Sequence, residues 1–341
     1  MDIVNKINIS VPISIRQRLD EDAMLFEIYK KDGETINRND FLNRLIKGYY
    51  YYYVHEQETL RHKINDVLMD DDLTSYVMDV LDSRFSPYED KDYREKSVII
   101  SLKPRKDTSH LIYNIIGSAD NPDGSHPRNL KTMFSHYLSE PLYRREQFIF
   151  KETYDTLTAA CKDGSQLRIT TKYAPDIVFS VLPYMVATGS ERSNYLLCQK
   201  WVPEQHSYDT ATFRLNRITS IVPEKKTMEF SPEIIRYLDR MNRYSPSYSI
   251  HSDAPIIINM DDGMYKRYQM ISYDRPPYTQ KDGSIFYFDC SEDHAFVYFR
   301  KFSKIEIVSP ASLAARLREF HEAALYHLES QMCTQGERHG K

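Results

Sequence analysis

The sequence predicts an α+β protein of several domains, and three observations lead to this fold class. The chain has 341 residues, more than a single hydrophobic core usually serves. Apolar side chains recur mainly at helical spacing up to about residue 155, whereas residues 166–222 contain several short alternating segments. The last third mixes strands and helices. We therefore expect four regions: 1–64, 65–155, 156–231 and 232–341.

The composition argues against several classes of protein. Hydrophobic residues make up 41% and charged residues 28% of the chain, as in a folded globular protein. The N-terminus lacks the pattern of a signal peptide, and no stretch is long enough to span a bilayer, so we expect a cytoplasmic protein without membrane contact. The cysteines are widely separated and form no C-x-x-C pair. This predicts neither a disulfide framework nor a zinc site.

Charge is unevenly distributed along the chain. The net charge is -4, but residues 65–95 alone carry ten acidic and three basic side chains. The rest of the chain is therefore slightly basic, which is compatible with a local basic surface. Charge alone leaves the partner open, because the overall pI of 6.3 is below that of most nucleic-acid-binding domains.

The N-terminal region is predicted to be a strand followed by two helices. Ile7, Ile9 and Val11 alternate with polar residues, and Pro12 ends the strand. Helical spacing follows to about residue 31, and Asn37 can cap a second helix. No second strand follows at once, so the backbone of the first strand needs a partner, most simply from a second copy of the chain. We therefore expect a homodimer.

This strand-helix-helix pattern resembles the ribbon-helix-helix family of DNA-binding heads. The resemblance implies that Lys6, Asn8 and Ser10 point towards base edges, and that Arg38 and Asn39 lie near phosphates at the start of the second helix. The alternative is a dimerisation arm without a nucleic-acid role.

Residues 49–53 are five consecutive tyrosines. Successive helical residues are about 100° apart, so the rings must cover every face of their helix. Some of them could stack on bases. Packing between neighbouring layers is the interpretation that we favour.

Residues 65–155 are predicted to form a mainly helical connector with one strand near residues 97–102. Four short segments then follow, and their spacing predicts a small closed barrel. These segments are residues 166–172, 176–186, 193–199 and 211–222.

The barrel segments resemble the signature blocks of the WYL domain. Three blocks carry the resemblance: residues 182–184 (Leu-Pro-Tyr), 194–196 (Asn-Tyr-Leu) and 212–218 (Thr-Phe-Arg-Leu-Asn-Arg-Ile). Asn194 stands in place of the usual tryptophan, and Asn216 in place of the usual aspartate.

The resemblance implies an Sm-like or SH3-like barrel that binds small ligands or single-stranded nucleic acid, with Tyr195, Arg214 and Arg217 lining the site. In a regular strand, Arg214 and Arg217 would point to opposite faces. Arg168 and Lys172 would share one face and could extend a basic track. The alternative for each cation is an ordinary surface charge in an exposed salt bridge.

The C-terminal region is predicted to be an α/β sandwich. It begins with a hairpin of residues 255–260 and 264–273, followed by a strand at 285–289. Ser291 caps a helix, residues 305–308 form a strand, and Ser309-Pro310 opens the last helix. The unit resembles the C-terminal extension that follows WYL domains and is associated with oligomerisation.

No motif with a known catalytic mechanism occurs in the sequence, so we expect a binding protein with no catalytic residues, metal or cofactor. The order of the regions resembles the WYL accessory proteins of type VI-D CRISPR systems. This resemblance implies a homodimer that binds single-stranded RNA and enhances an RNA-guided RNA nuclease. The alternatives are a ligand-responsive transcriptional regulator, whose head binds palindromic duplex DNA, and a small-molecule sensor.

Overall fold

The computed structural model describes residues 6–85, 96–117, 126–227 and 229–336. The chain divides into two compact units, Met1–Tyr154 and Asp155–Lys341. The described residues form eleven α-helices and three antiparallel sheets of two, four and five strands. The predicted α+β class is therefore confirmed. Within the described ranges, no helix is both long and apolar enough to cross a membrane.

Unit 1 contains a two-stranded ribbon with helices packed on one of its faces. The last helix, α7, begins in unit 1 and continues into unit 2. In chain order the elements are β1 (Ile7–Pro12), α1 (Ile13–Leu25), α2 (Arg38–Leu68), α3 (Asp71–Phe85), β2 (Ser97–Leu102), α4 (Lys106–Gly117), α5 (His126–Ser139), α6 (Leu142–Ile149) and α7 (Lys151–Asp163).

The strand β1 pairs with β2 of the same chain, in antiparallel register from Ile7 opposite Leu102 to Pro12 opposite Ser97. The expectation that β1 finds no partner within its own chain is therefore wrong. Its backbone groups are satisfied by a strand that the sequence placed in the connector, so the argument for a dimer through β1 no longer holds. The alternation itself is confirmed, because Ile9 and Val11 are fully buried.

The two strands begin two similar halves of unit 1. The order β1-α1-α2 is repeated as β2-α4-α5, and the packing is reciprocal, because α5 contacts β1 and α2 contacts β2. Tyr49 of α2 and Tyr137 of α5 meet edge to face, with ring centroids 5.6 Å apart. We infer an approximate twofold relation between the halves. Buried residues share one spacing in both helices: Leu42, Leu45, Ile46 and Tyr49 in α2, and Leu130, Met133, Phe134 and Tyr137 in α5.

The helix α2 begins where the sequence predicts. The Asn37 side chain accepts a hydrogen bond from the Asp40 N–H at 3.1 Å, as an N-cap does. Gly48 then allows α2 to pass close to the end of α6, because a Cβ atom there would lie 1.9 Å from the carbonyl oxygen of Phe148. No other residue fits at this crossing without a shift of the backbone.

The tyrosine run lies in α2 and mostly packs inside unit 1. Tyr49 is buried and contacts Phe148, with ring centroids 4.8 Å apart. Tyr52 also packs on Phe148, and Tyr53 packs on His136. Tyr51 is 63% exposed. These contacts favour the packing interpretation of the run over base stacking.

Unit 2 begins with a five-stranded antiparallel sheet in the order β6-β5-β4-β3-β7. A single 3-10 turn, Leu215–Arg217, joins the two edge strands, so the sheet must curve until its edges approach at this turn. The segment predicted as one strand over residues 211–222 is therefore two strands with a sharp corner. The strands are β3 (Ser165–Thr171), β4 (Ala174–Thr188), β5 (Asn194–Val202), β6 (Ser207–Arg214) and β7 (Ile218–Thr227).

The helix α8 (Pro232–Tyr244) covers one face of this curved sheet. Leu238 and Met241 of the helix are fully buried, and they pack in one apolar cluster with Tyr195 and Leu197 of β5. This cluster fixes which face of β5 is closed to solvent.

The rest of unit 2 is a four-stranded antiparallel sheet in the order β11-β8-β10-β9, with helices packed against it. Its core is rich in aromatic residues, including Phe286, Phe288, Tyr298 and Phe299. The elements are β8 (Ile256–Met260), α9 (Asp262–Met270), β9 (Tyr278–Asp282), β10 (Ile285–Phe288), α10 (Glu292–Phe299), β11 (Ile305–Ser309) and α11 (Ala311–Gly336).

The hairpin predicted over residues 255–273 is wrong. The side chain of Asp261 accepts a hydrogen bond from the Met264 N–H at 2.8 Å, which caps the helix α9 where a return strand was expected. The strand β8 pairs instead with β10 and β11. The predicted cap at Ser291 is confirmed, since its hydroxyl accepts a hydrogen bond from the His294 N–H.

Candidate nucleic-acid interface

The first candidate surface is the outer face of the β1-β2 ribbon. Lys6, Asn8 and Ser10 are exposed there, as the alternation predicts. Ser101 of β2 lies opposite Asn8, and its hydroxyl donates a hydrogen bond to the Asn8 Oδ1 at 2.8 Å. Ile99, opposite Ser10, is 67% exposed. The face is thus built by both strands, and the sequence interpretation found only the contribution of β1.

Arg38 and Asn39, which are predicted to lie near phosphates, have hydrogen-bond partners within the fold. The Arg38 guanidinium donates from Nε and Nη2 to the two carboxylate oxygens of Asp20, each at 2.7 Å. These bonds raise the pKa of Arg38 and compensate its charge. The Asn39 Oδ1 accepts a hydrogen bond from the Lys103 N–H at 2.8 Å, which fixes the chain just after β2.

The second candidate surface lies at the corner of the curved sheet and includes Lys172, Tyr173 and Arg217. The Lys172 N–H donates to the Arg217 carbonyl oxygen at 2.8 Å, which ties the end of β3 to the 3-10 turn. The Arg217 guanidinium lies over the Tyr173 ring, 5.1 Å from its centroid. Tyr173 is 67% exposed, so much of its side chain faces solvent. The structure therefore places two predicted cations beside an exposed aromatic side chain.

Arg168 lies on the exposed side of β3, further from the corner. Its Nε is 3.3 Å from the Glu224 carboxylate in an exposed ion pair. Such pairs are weak, about 0–1 kcal/mol, so the guanidinium can exchange this partner for a phosphate. The pairing of β3 with β7 shifts register between Thr170 and Thr171, yet both Arg168 and Lys172 remain exposed.

Arg214 and Tyr195 lie opposite each other at the ends of β6 and β5, on the side that α8 covers. Tyr195 is only 9% exposed and packs in the cluster with Leu238, so its position favours packing over base stacking. The Arg214 Nη2 donates to the Ser193 hydroxyl at 3.0 Å. Arg217 belongs to the 3-10 turn and not to a strand, so the predicted alternation of the two arginines does not apply.

Asn216, between the two arginines, is a buried polar residue. It is 6% exposed, and within the described ranges neither atom of its side-chain amide has a hydrogen-bond partner. Asn194 is fully buried at the start of β5. Both positions at which the chain departs from the WYL pattern therefore lie inside the fold.

The sequence interpretation missed several aromatic residues of the curved sheet. Tyr173 directly follows Lys172, but its position in a turn gave no periodic signal. Lys200 of β5 places its Nζ 5.7 Å from the ring centroid of Phe179, which itself packs against Phe213 at 5.3 Å. An exposed aromatic residue beside a basic one at a strand end is the signal that could have identified Tyr173.

The described residues offer little for metal or nucleophilic chemistry. Among them, no group of three or more His, Cys, Asp and Glu side chains is arranged to hold a metal ion. Burial raises the pKa of the Cys161 thiol to about 11 and also raises the pKa of Cys198. These thiols are therefore protonated at neutral pH and unsuited to nucleophilic attack.

A crystal structure of a CRISPR Cas-related protein is similar to this chain, with 17% sequence identity and a TM-score of 0.66. The similarity covers 97% of this chain and 96% of that protein. The proteasome accessory factor B/C of Arthrobacter aurescens matches with 14% identity over 69% of this chain and 39% of its own, with a TM-score of 0.24. No protein-family model and no curated protein matches the sequence. The chain therefore has the fold of a CRISPR Cas-related protein.

Proposed function

We propose that the protein is a non-catalytic regulator that binds single-stranded RNA through the corner of its curved sheet. The observation that carries this proposal is the cluster of Tyr173 with Arg217 and Lys172. An exposed ring gives a stacking platform for any base, and neighbouring cations hold the phosphates of the same strand. Arg217 lies over the ring, so its charge is held beside the stacking site.

The cluster suits a single strand better than a duplex. Bases in a duplex are stacked on one another and offer no free face to an aromatic side chain, whereas those of a single strand can be splayed out. Arg168 along β3 supplies a further phosphate contact if its exposed pair with Glu224 opens. The resemblance to WYL domains supports the same surface, because those domains bind single-stranded nucleic acid or small ligands.

The CRISPR setting is the second part of the proposal. The shared fold with a CRISPR Cas-related protein over almost the whole chain supports it. Together with the resemblance to type VI-D accessory proteins, it leads us to assign this protein the role of enhancing an RNA-guided RNA nuclease. The protein would supply bound RNA and no catalytic group.

A homodimer remains part of this proposal, although β1 no longer argues for it. The helix α11 buries Leu313 and Leu317, while Leu325 and Tyr326 further along are exposed. Exposed apolar side chains on the later turns of this helix are suited to contact with a second copy. Light scattering at micromolar concentration should give twice the chain mass, and a stable monomer would remove the dimer from the proposal.

The small-ligand alternative rests on Asn216. A buried amide without a partner costs about 1–3 kcal/mol, and a small polar molecule could satisfy it. Ligand binding would raise the unfolding temperature of the full-length protein. A compound that raises the unfolding temperature of the parent protein but not that of Asn216→Leu would favour this alternative.

The RNA site can be tested by titrating the full-length protein against a labelled 20-nucleotide single-stranded RNA at several salt concentrations. Tyr173→Ala should weaken binding by about 5- to 150-fold, the range for loss of one base–aromatic stack. Arg217→Ala should reduce the slope of log affinity against log salt by about 0.7, the value for one phosphate on a single strand.

Two controls change similar residues elsewhere in unit 2. Tyr273→Ala removes an exposed ring from the segment after α9, and Arg236→Ala removes an exposed arginine that pairs with Asp253. Both should bind RNA like the parent. If Tyr173→Ala and Arg217→Ala also bind like the parent at every salt concentration, the corner is not the RNA site. The proposed CRISPR role has a separate test: the parent but not Tyr173→Ala should increase the rate of RNA cleavage by a type VI-D nuclease.

A further inference from the structure

The hairpin formed by α2 and α3 in unit 1 carries a group of exposed apolar side chains. Val67 and Met69, at the turn between the two helices, are 80% and 88% exposed. Along α3, Leu73, Tyr76 and Val80 are also exposed, and their spacing of three and four residues places them in one stripe on the helix. A soluble protein rarely exposes such a group unless it serves as a contact surface.

Hydrogen bonds fix the shape of this hairpin. The Asp70 Oδ1 accepts a hydrogen bond from the Leu73 N–H at 2.9 Å, which caps the start of α3. The Thr74 hydroxyl is buried and donates to the Asn65 Oδ1 at 3.0 Å, which joins α3 to the last turns of α2. The apolar stripe is therefore held in place within unit 1 itself.

Met69 has a backbone conformation that side chains rarely adopt. It ends α2 with φ of 52° and ψ of 31°, in the left-handed region where glycine is usual at the end of a helix. Its side chain buries little in this chain, so packing within the fold does not compensate the strain. A contact with a partner accounts for a methionine at this position, because the flexible thioether fits irregular apolar recesses.

The hairpin is acidic as well as apolar. Residues 64–83 contain six aspartates and no lysine, arginine or histidine, and Lys63 and Arg84 flank this stretch. The segment 86–95, outside the described ranges, adds four acidic and two basic residues. Four of the aspartates are exposed and have no ion pair within the described ranges: Asp66, Asp71, Asp72 and Asp79.

We infer that this hairpin docks on a basic protein surface that offers an apolar recess for Met69. The aspartates repel the phosphates of nucleic acids, so RNA and DNA do not suit this surface. They also oppose the pairing of two copies of the hairpin, because like charges would face each other.

The RNA-guided nuclease of the proposed function has the complementary chemistry. A protein that holds guide and target RNA carries clusters of lysine and arginine for the phosphates. We therefore assign the basic surface to this nuclease, and this choice of partner rests on the proposed function. The hairpin would bring the regulator to the nuclease, while the corner of the curved sheet binds RNA.

The test measures binding of the full-length protein to a type VI-D nuclease loaded with its guide RNA, by biolayer interferometry. Met69→Gly should weaken the affinity by about 5- to 30-fold, the range between an ordinary contact and a hot spot. It should not lower the unfolding temperature, because glycine suits the φ of 52°. Asp71→Asn with Asp72→Asn should lower the association rate constant and flatten its salt dependence, since charges at a rim steer the encounter.

The matched controls lie in unit 2. Met270→Gly removes a methionine that is 83% exposed at the end of α9, and Asp262→Asn with Asp282→Asn removes two exposed acids. Both should bind the nuclease like the parent. All hairpin variants should bind the 20-nucleotide RNA like the parent, so the loss of an RNA bridge cannot explain a weaker complex.

The outcomes separate this inference from the proposed function. If Met69→Gly binds the nuclease like the parent, or if the parent increases the cleavage rate without binding the nuclease, the docking surface is wrong and the RNA site stands. If Met69→Gly converts a dimer into a monomer in light scattering, the occupant is a second copy and the assignment to the nuclease is wrong. If the parent neither binds the nuclease nor increases cleavage, both the docking surface and the CRISPR role are wrong.

Discussion

The two units hold their cations in different ways. In unit 1, Arg145 is nearly buried and its Nη1 donates to both carboxylate oxygens of Asp22 at 2.7 Å. In unit 2, Arg168 pairs with Glu224 in an exposed ion pair, and Arg217 lies over Tyr173. Arg145 therefore holds elements of unit 1 together, whereas the guanidinium of Arg217 lies beside a ring that is mostly exposed.

The units also differ in the polar groups that they bury. Unit 1 buries two carboxyl groups, Asp22 and Glu146. In the described part of unit 2, the buried polar residues are amides, hydroxyls and one histidine: Gln166, Ser193, Asn194, Gln199, Thr210, Asn216, Ser291 and His294. A buried carboxyl titrates at acid pH and an amide does not. At acid pH, the stability of unit 1 should therefore depend on pH more strongly than the stability of unit 2.

The largest expected effect comes from Gly48→Ala in unit 1. The added Cβ would meet the backbone carbonyl of Phe148, which cannot rotate away, so α2 and α6 must separate. We expect a loss of about 3 kcal/mol in the free energy of unfolding of unit 1, the upper end of the usual range for overpacking. Urea unfolding followed by circular dichroism measures this loss.

The same variant tests whether the RNA site lies outside unit 1. Gly48→Ala should keep its affinity for single-stranded RNA within about twofold, because the RNA corner lies in unit 2. Tyr51→Ala, an exposed residue of the same helix, is the control and should change neither the stability nor the RNA affinity. A large loss of RNA binding in Gly48→Ala, under conditions where the protein stays folded, would contradict the placement of the RNA site in unit 2.

The next effect is a pH dependence that originates at Asp22. Burial raises the pKa of this carboxyl to about 6, from about 3.8 in a solvated chain, although Arg145 opposes the shift. Between these two values the folded protein holds a proton that the unfolded chain has lost. The stabilisation of the folded protein by this proton is therefore fully present below about pH 4 and is lost as the pH rises through about 6. Its size is about 3 kcal/mol, at about 1.4 kcal/mol per pKa unit.

Urea unfolding of the parent and of Asp22→Asn from pH 4 to pH 7 measures this contribution. The parent should lose stability relative to Asp22→Asn as the pH rises. Asp32 is the opposite case, because backbone hydrogen bonds from Thr35 and Glu34 lower its pKa. When the series is extended below about pH 4, the parent should lose stability relative to Asp32→Asn as the pH falls. If the free energy of unfolding follows the same pH profile in the parent and in Asp22→Asn, Asp22 is not the origin of the pH dependence.

The smallest expected effect is at Asn216 in unit 2. Leucine has a similar volume and no polar atoms, so Asn216→Leu should remove two buried groups that lack partners. We expect the free energy of unfolding to rise by about 1 kcal/mol, at the low end of the cost of such groups. Thermal unfolding in the absence of nucleic acid measures the change. A decrease would mean that the amide has a hydrogen-bond partner in solution.

Local features of the fold could be predicted from the sequence, and long-range pairing could not. The alternation at Ile7 and Ile9 and the caps at Asn37 and Ser291 depend on neighbours within a few residues. The partner of Asn8 is Ser101, which is 93 residues away, and no local pattern identifies it. The cap at Asp261 is local, but a turn with Asp and Gly is typical of hairpins as well as of helix starts.

The candidate sites show the same limit. Arg38 at a helix start is chemically suited to phosphate, and only the fold brings Asp20 within 2.7 Å of it. Tyr195 lies in a segment that resembles a ligand-binding motif, and only the fold shows that α8 covers it. Lys172 and Arg217 were predicted separately, and the 3-10 turn is what brings them together.

The central claim is that single-stranded RNA binds at the corner of the curved sheet, and photo-crosslinking tests it most directly. The full-length protein is irradiated with a 20-nucleotide RNA that contains 4-thiouridine, and the crosslinked peptides are identified by mass spectrometry. We predict crosslinks at Tyr173 and in the peptide that contains Arg217, which disappear in Tyr173→Ala, with none in the ribbon strands β1 and β2. Crosslinks confined to unit 1, or unchanged by Tyr173→Ala, would contradict the claim.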